Sequence, residues 1–198
     1  MTMANVIFDF GAVLIQWDVE RAFPDVDDVA SFLDASDFFA WNTLQDGGRS
    51  QADAIAAAIE SHPEHAPHLA KYFDNFADAI QVKTSGSWEV LEDLREKGHR
   101  IFGLTNWAAE TYLVAEEVHP EIKTVFEDVV VSGREKMLKP HVEIYECLLS
   151  RNGLVASECV FIDDSKANVA GGKAVGIDSI HFTDARALRI ALEERGLL

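Results

Sequence analysis

Five short apolar runs, spread along the chain, constrain this sequence most. Asn5, Val6, Ile7 and Phe8 end at Asp9, and residues 100–104 end at Thr105 and Asn106. Runs over residues 125–131, 159–162 and 179–182 follow, the second of these closing on Asp163 and Asp164. Each is too short for a helix and rich in Val, Ile or Phe, so each reads as a buried strand. The segments between them have a helical period. Val90, Leu91 and Leu94 share one face ahead of Gly98. Ile144, Tyr145, Leu148 and Leu149 form a second stripe, with Pro140 in its expected first turn and Gly153 just past its end. Residues 184–196 form a third.

Strands alternating with helices predict an α/β protein with a doubly wound, mostly parallel, Rossmann-like sheet. Residues 17–83 break that alternation. Leu69, Tyr72, Phe73, Phe76, Ala77 and Ile80 keep helical spacing, Ala54, Ile55, Ala58 and Ile59 keep a shorter version, and Phe32, Leu33, Phe38, Phe39 and Trp41 add an aromatic cluster. This block is expected to be an inserted all-helical cap with its own core, set into a Rossmann-like core made of residues 1–16 and 84–198.

Composition limits the function. With 198 residues, 48% of them apolar, the chain can bury a core. No apolar run approaches the roughly 20 residues that span a bilayer, and Asp9 interrupts the first apolar stretch, which lacks the basic start of a signal peptide. A cytoplasmic protein, monomer or homodimer, is the expectation. Cys147 and Cys159 read as small buried hydrophobes rather than a disulfide. The net charge of -17 argues against nucleic acid and anionic membranes as partners, and it means that any phosphate site must gather local cations.

In an open parallel sheet, ligands bind beyond the carboxyl ends of the strands. The residues there are Asp9, Thr105 with Asn106, and Asp163 with Asp164, joined by Lys139 from the loop before a helix. Clustered carboxylates raise one another's pKa unless a cation intervenes, and Mg²⁺ suits carboxylate, water and phosphate oxygens. Phosphoryl transfer needs a metal, an ammonium and hydrogen-bond donors around the equatorial oxygens. Lys139 and Thr105 offer the last two, and a carboxylate such as Asp9 can attack phosphorus.

Four segments, Phe8-Asp9-Phe10-Gly11-Ala12-Val13-Leu14, Leu104-Thr105-Asn106, Leu138-Lys139-Pro140 and Phe161-Ile162-Asp163-Asp164-Ser165, together resemble the ordered motifs of the haloacid dehalogenase-like hydrolase superfamily. Asn168, Gly171, Gly172 and Gly176 resemble the pattern after the fourth motif, and the helical block sits where that family places its C1 cap. The resemblance implies that Asp9 is the nucleophile and a Mg²⁺ ligand. It implies that the Gly11 carbonyl and Asp164 also hold the metal, with Asp163 behind them. Thr105, Asn106 and Lys139 would bind the phosphoryl group, Lys139 also orienting Asp9. The implied substrate is a small phosphorylated metabolite, such as a sugar phosphate.

One position departs from the pattern. Phosphatases of the superfamily usually carry a second aspartate two residues after the nucleophile, and here Gly11 stands there. Some members resembling glucose-1-phosphate phosphatases share that glycine. General acid–base help is worth about 10²–10⁴ in rate, so its source is open: the cap, Asp163 or water. Two alternative functions stay beside the phosphatase, a 2-haloacid dehalogenase with the same nucleophile and a catalytically silent phosphoryl-ligand binder. In the cap, Trp17, Gln45, Gly47 and Arg49 are the candidates for touching substrate. His62, His65 and His68, interrupted by Pro63 and Pro67, read as a polar connector rather than a metal site.

Overall fold

The structure is a computed structural model and describes residues 4–198. Its centre is one sheet of five parallel strands: β1 (Asn5–Phe8), β2 (Arg100–Thr105), β3 (Asp128–Val131), β4 (Cys159–Asp163) and β5 (Asp178–His181), ordered β3-β2-β1-β4-β5. The chain builds outward from β1 through β2 to β3, then returns to the other side of β1 for β4 and β5. The order therefore reverses beside β1, where such sheets leave a crevice at their carboxyl ends. Alternation along the strands splits the core in two. Val6 and Phe8 pack with Trp88, Leu91, Leu94, Tyr112 and Leu188 on one face, and Ile7, Phe102, Leu104 and Phe161 pack with Ile144, Tyr145 and Leu148 on the other.

Between β1 and β2 the chain forms a short 3-10 turn, Val19–Ala22, then α1 (Val29–Ala35), α2 (Phe38–Asp46), α3 (Gln51–Ser61), α4 (Ala66–Asp74), α5 (Phe76–Ala79) and α6 (Ser87–Glu96). The chain leaves the sheet and returns along paired backbone: Gln16 donates to the Val82 carbonyl at 2.8 Å and Thr84 to that of Leu14 at 2.9 Å. Phe23, Phe32, Phe38, Trp41 and Tyr72 fill the space among the first helices, with Phe23 and Tyr72 stacked at 5.8 Å. After β2 come α7 (Ala109–Val118) and α8 (Ile122–Val125); after β3, α9 (Ser132–Glu135) and α10 (Val142–Asn152); after β4, α11 (Lys166–Ala174); and after β5, α12 (Ala185–Glu194).

Several local expectations are corrected. The stripe through Leu69 and Phe76 is two helices, broken at Asn75, whose side chain turns to donate to the Ala22 carbonyl. Phe39 is exposed on α2, and Ile59 is exposed because α3 docks through its alanines: Ala54 and Ala58 are buried, and the Ala54 carbonyl accepts the Trp41 indole N–H. Val125 ends a short helix rather than opening a strand. Pro140 lies before α10, in a turn whose Lys139-Pro140 peptide is cis, and His141 is the residue that precedes the first turn. Cys147 is only half-buried, and both cysteines are free. No helix among the described residues is long and apolar enough to cross a membrane.

Candidate active site

Three neighbouring strands bring Asp9, Thr105 and Asp163 to one edge of the sheet. After β1 the chain turns sharply: Val13 donates to the Gly11 carbonyl at 2.7 Å and Leu14 to that of Phe10 at 2.8 Å, while Ala12 takes a left-handed backbone (φ 58°). That conformation is uncommon for a residue with a Cβ. The turn lifts Gly11 out of the sheet and leaves Asp9 facing the crevice. Asp9 Oδ1 accepts the Phe10 N–H at 2.7 Å and the Lys139 ammonium at 2.9 Å, whereas Oδ2 accepts no hydrogen bond among the described residues. One oxygen is thus anchored and the other is available.

Lys139 is fully buried, and its ammonium has three acceptors for its three N–H bonds: Asp163 Oδ2 at 2.7 Å, the Leu104 carbonyl at 2.8 Å and Asp9. Desolvation opposes the charge, but Asp9 and Asp163 together hold the Lys139 pKa above its ordinary value. Burial pushes the Asp9 carboxyl up, Lys139 pulls it back and Asp163 adds to the rise, leaving it at about 8. Asp163 has no exposed surface and both its oxygens are engaged, by Lys139, the Ser165 backbone N–H and the Asn168 amide. It is built to hold Lys139. Asp164 is exposed, and partial burial, with Asp163 beside it, raises its pKa.

The loop carrying Lys139 is held from two sides. Asn106 brackets its backbone, the amide donating to the Lys139 carbonyl at 3.0 Å and accepting the Lys139 N–H at 2.9 Å. Gly171 lets α11 approach the same loop: a Cβ there would stand 2.5 Å from the Pro140 carbonyl oxygen and 2.9 Å from the Tyr145 hydroxyl. Gly171→Ala is therefore expected to cost about 1–3 kcal/mol as an overpacked contact, read as a lower denaturation midpoint at unchanged slope.

The crevice opens into a cleft. Gly11, Asn106, Trp107 and Thr111 line it from the sheet side; Trp17, Asn42, Asp46, Tyr72 and Phe76 line it from the helical block. Thr105 is buried at the strand end with its hydroxyl unpartnered, a donor without an acceptor. Trp17 thus reaches the cleft, edge-on to Phe39. Gln45, Gly47 and Arg49 do not line it, contrary to the expectation for that loop. Arg49 folds back on α2, donating to Gln45 Oε1 at 2.7 Å and to the Trp41 carbonyl at 2.8 Å. Gln45 is buried beneath it, and Gly47 packs toward Leu138. The residue missed by sequence reasoning is Asp46, between them.

Among the described residues, Asp9, Asp163 and Asp164 can each bring a carboxylate oxygen within 4.8 Å of the others. Three carboxylates against one ammonium leave a net negative site, and the free Asp9 oxygen beside exposed Asp164 is oxygen-ligand chemistry that fits Mg²⁺. The residues present fit the ion, with Asp163 tied to Lys139 behind it. His62, His65 and His68 form no such group; His65 and His68 stand edge-on to Phe32.

A parallel sheet reverses its order beside a strand-end aspartate, and a buried lysine links that aspartate to a second carboxylate. The chain belongs to the haloacid dehalogenase-like hydrolase family, whose model matches residues 46–182. It is 26% identical, over 98% of its length and 96% of the relative's, to a sesquiterpene phosphatase of Aspergillus oryzae. Its fold resembles that of a HAD-like family hydrolase of Porphyromonas gingivalis, at 20% identity and a TM-score of 0.74 over 98% of both chains. It also resembles a HAD family enzyme of Bacteroides thetaiotaomicron, solved with magnesium and inorganic phosphate, at 21% identity and a TM-score of 0.72 over 92% of this chain and 96% of that one.

Proposed function

We propose that the protein is a Mg²⁺-dependent phosphohydrolase that cleaves small phosphomonoesters through an aspartyl-phosphate on Asp9. The observation that carries this reading is the Asp9–Lys139–Asp163 chain, which leaves one Asp9 oxygen unpaired two residues before Gly11, which lines the cleft. Mg²⁺ would be held by Asp9, Asp164 and the Gly11 carbonyl, with Asp163 behind. When bound it would neutralise the phosphoryl oxygens and favour the ionised nucleophile over the protonated one. Asp9 Oδ2 attacks phosphorus while the Thr105 hydroxyl, which has no partner inside the protein, donates to a phosphoryl oxygen. Lys139 keeps Asp9 aimed; its three donors are occupied, so its charge acts on the phosphoryl group mainly through Asp9. Asn106 acts by fixing the Lys139 loop.

Residues 17–83 would serve as the cap over a core of residues 1–16 and 84–198, and the leaving group would lie between them. Trp17, Tyr72, Phe76 and Trp107 supply apolar faces there and Asn42 and Thr111 polar ones, which favours a compact alcohol with one apolar side. The sesquiterpene phosphatase relative and the ring faces of sugars both agree with that shape. A 2-haloacid dehalogenase is disfavoured, because no arginine among the described residues lines the cleft to meet a carboxylate, and Arg49 is turned away.

The test is phosphate release from a panel pairing sugar phosphates with an isoprenyl phosphate, with Mg²⁺ and after chelation. Turnover is expected with the metal and is expected to fall at least about 10²-fold without it. Mg²⁺ at about 100 times its dissociation constant should also raise folding stability by about 2.7 kcal/mol. Chloride release from a 2-haloacid, or turnover indifferent to chelation, would contradict the proposal.

A further inference from the structure

A phosphomonoester whose alcohol is a poor leaving group needs a proton donor, and the position two residues after Asp9 holds none. A Cβ built at Gly11 would meet nothing within 4 Å, so the space beside the nucleophile is open cleft. Asp46, at the end of α2, lines that same cleft with Gly11 and Asn106. Its backbone is pinned to the core: the Asp46 carbonyl accepts the Ser132 hydroxyl at 2.6 Å, and the same hydroxyl oxygen accepts the Trp107 N–H at 2.9 Å, two residues beyond Thr105. No cation pairs with Asp46 among the described residues. Its closest side-chain partner is the Asn42 amide, at 3.4 Å from Oδ2.

We propose that Asp46 is the general acid of the phosphoryl transfer, supplying from the helical block the proton that the position of Gly11 cannot. The inference rests on the phosphatase reading above. As Asp9 Oδ2 bonds to phosphorus, the bond from phosphorus to the leaving oxygen breaks. Its electron pair stays on that oxygen, which takes the Asp46 proton and departs as the alcohol. Asp46, now a carboxylate, then takes a proton from the water that attacks the aspartyl-phosphate. The new bond forms between water oxygen and phosphorus, the bond to Asp9 breaks, and inorganic phosphate and the Asp9 carboxylate are restored.

Burial, opposed by the Ala108 backbone N–H, pushes the Asp46 carboxyl up to about 7, which keeps a proton available near neutrality. The other groups are less suited. Asp163 is committed to Lys139, and the Tyr72 hydroxyl, buried beside Asp46, is held well above its ordinary pKa and gives up its proton poorly.

The experiment compares kcat/KM of wild type and Asp46→Asn on 2-phenylethyl phosphate and p-nitrophenyl phosphate, with Mg²⁺ present. The two esters are similar in shape, but p-nitrophenolate leaves without a proton and an alkoxide does not. The expected result is a loss of about 10²–10⁴-fold on the phenylethyl ester, with a far smaller loss on the nitrophenyl ester. Equal losses on both would mean a structural role, and no loss on either would mean no role; each overturns the proposal. So does the same selectivity appearing in Tyr72→Phe and not in Asp46→Asn. Wild type inactive on both esters would instead overturn the phosphatase reading itself.

Discussion

Asp9→Asn is expected to lower phosphate release by at least about 10⁴-fold, the scale on which losing a covalent nucleophile is felt. The substitution keeps the shape of the side chain and its Oδ1, so the hydrogen bonds from Phe10 and Lys139 can persist. What disappears is the second carboxylate oxygen, the one without a partner. The protein should fold normally while its turnover collapses, and circular dichroism with a single-turnover phosphate assay checks both halves. If Asp9 merely balanced the charge of Lys139, the variant would lose stability and keep a substantial part of its rate.

Lys139→Met has the second largest expected effect, and it combines stability with activity. The lysine side chain has no exposed surface and lies between two carboxylates. Removing one member of a buried ion network leaves the others unpaired, which typically costs about 3–5 kcal/mol. Because the folded-state pKa of Lys139 is raised, its stabilising contribution is complete below lysine's ordinary 10.5 and is lost only as pH climbs above it. The penalty of Lys139→Met is therefore present across the neutral range. It should shrink as pH falls below about 8, because Asp9 stands there even with the lysine beside it and takes up a proton more readily once that charge is gone. It should also shrink with Mg²⁺, which supplies a replacement cation. Urea unfolding at several pH values, with and without the metal, measures each. Turnover should fall as well, since Asp9 would lose the group that fixes its orientation.

The strand-end residues were legible in the sequence for a physical reason. A buried parallel strand must be apolar along its length, so the polar residue that ends it marks the edge of the sheet, as Asp9, Thr105 and Asp163 do. Their convergence then follows from β1 lying between β2 and β4. The roles inside that group were less legible. Asn106 looks like a phosphate donor from its place, but its amide spends itself on the Lys139 backbone, a contact between residues 33 apart in sequence.

The helical block was hardest to read. Gln45 and Asp46 are consecutive, yet on a helix each side chain points about 100° from the last, so Asp46 reaches the cleft and Gln45 does not. Arg49 has the charge of a substrate clamp, but its guanidinium folds back on α2, onto the Gln45 side-chain oxygen and the Trp41 carbonyl. Ile59 fitted an apolar stripe, but α3 approaches closely through Ala54 and Ala58 and leaves the larger side chain outside. These outcomes depend on how helices dock, which a local pattern does not encode. The aliphatic and aromatic spacing did predict helices there; what the spacing could not supply was the break at Asn75.

The central claim, that Asp9 carries the phosphoryl group, is tested most directly by trapping it. Wild-type protein mixed with substrate and Mg²⁺ is quenched in acid within one turnover, digested with pepsin and examined by mass spectrometry. The account predicts a phosphoryl group on the peptide containing Asp9, localised to that residue and absent from Asp9→Asn. Phosphate released within that turnover with no modified peptide, or with the group on another residue, would contradict it.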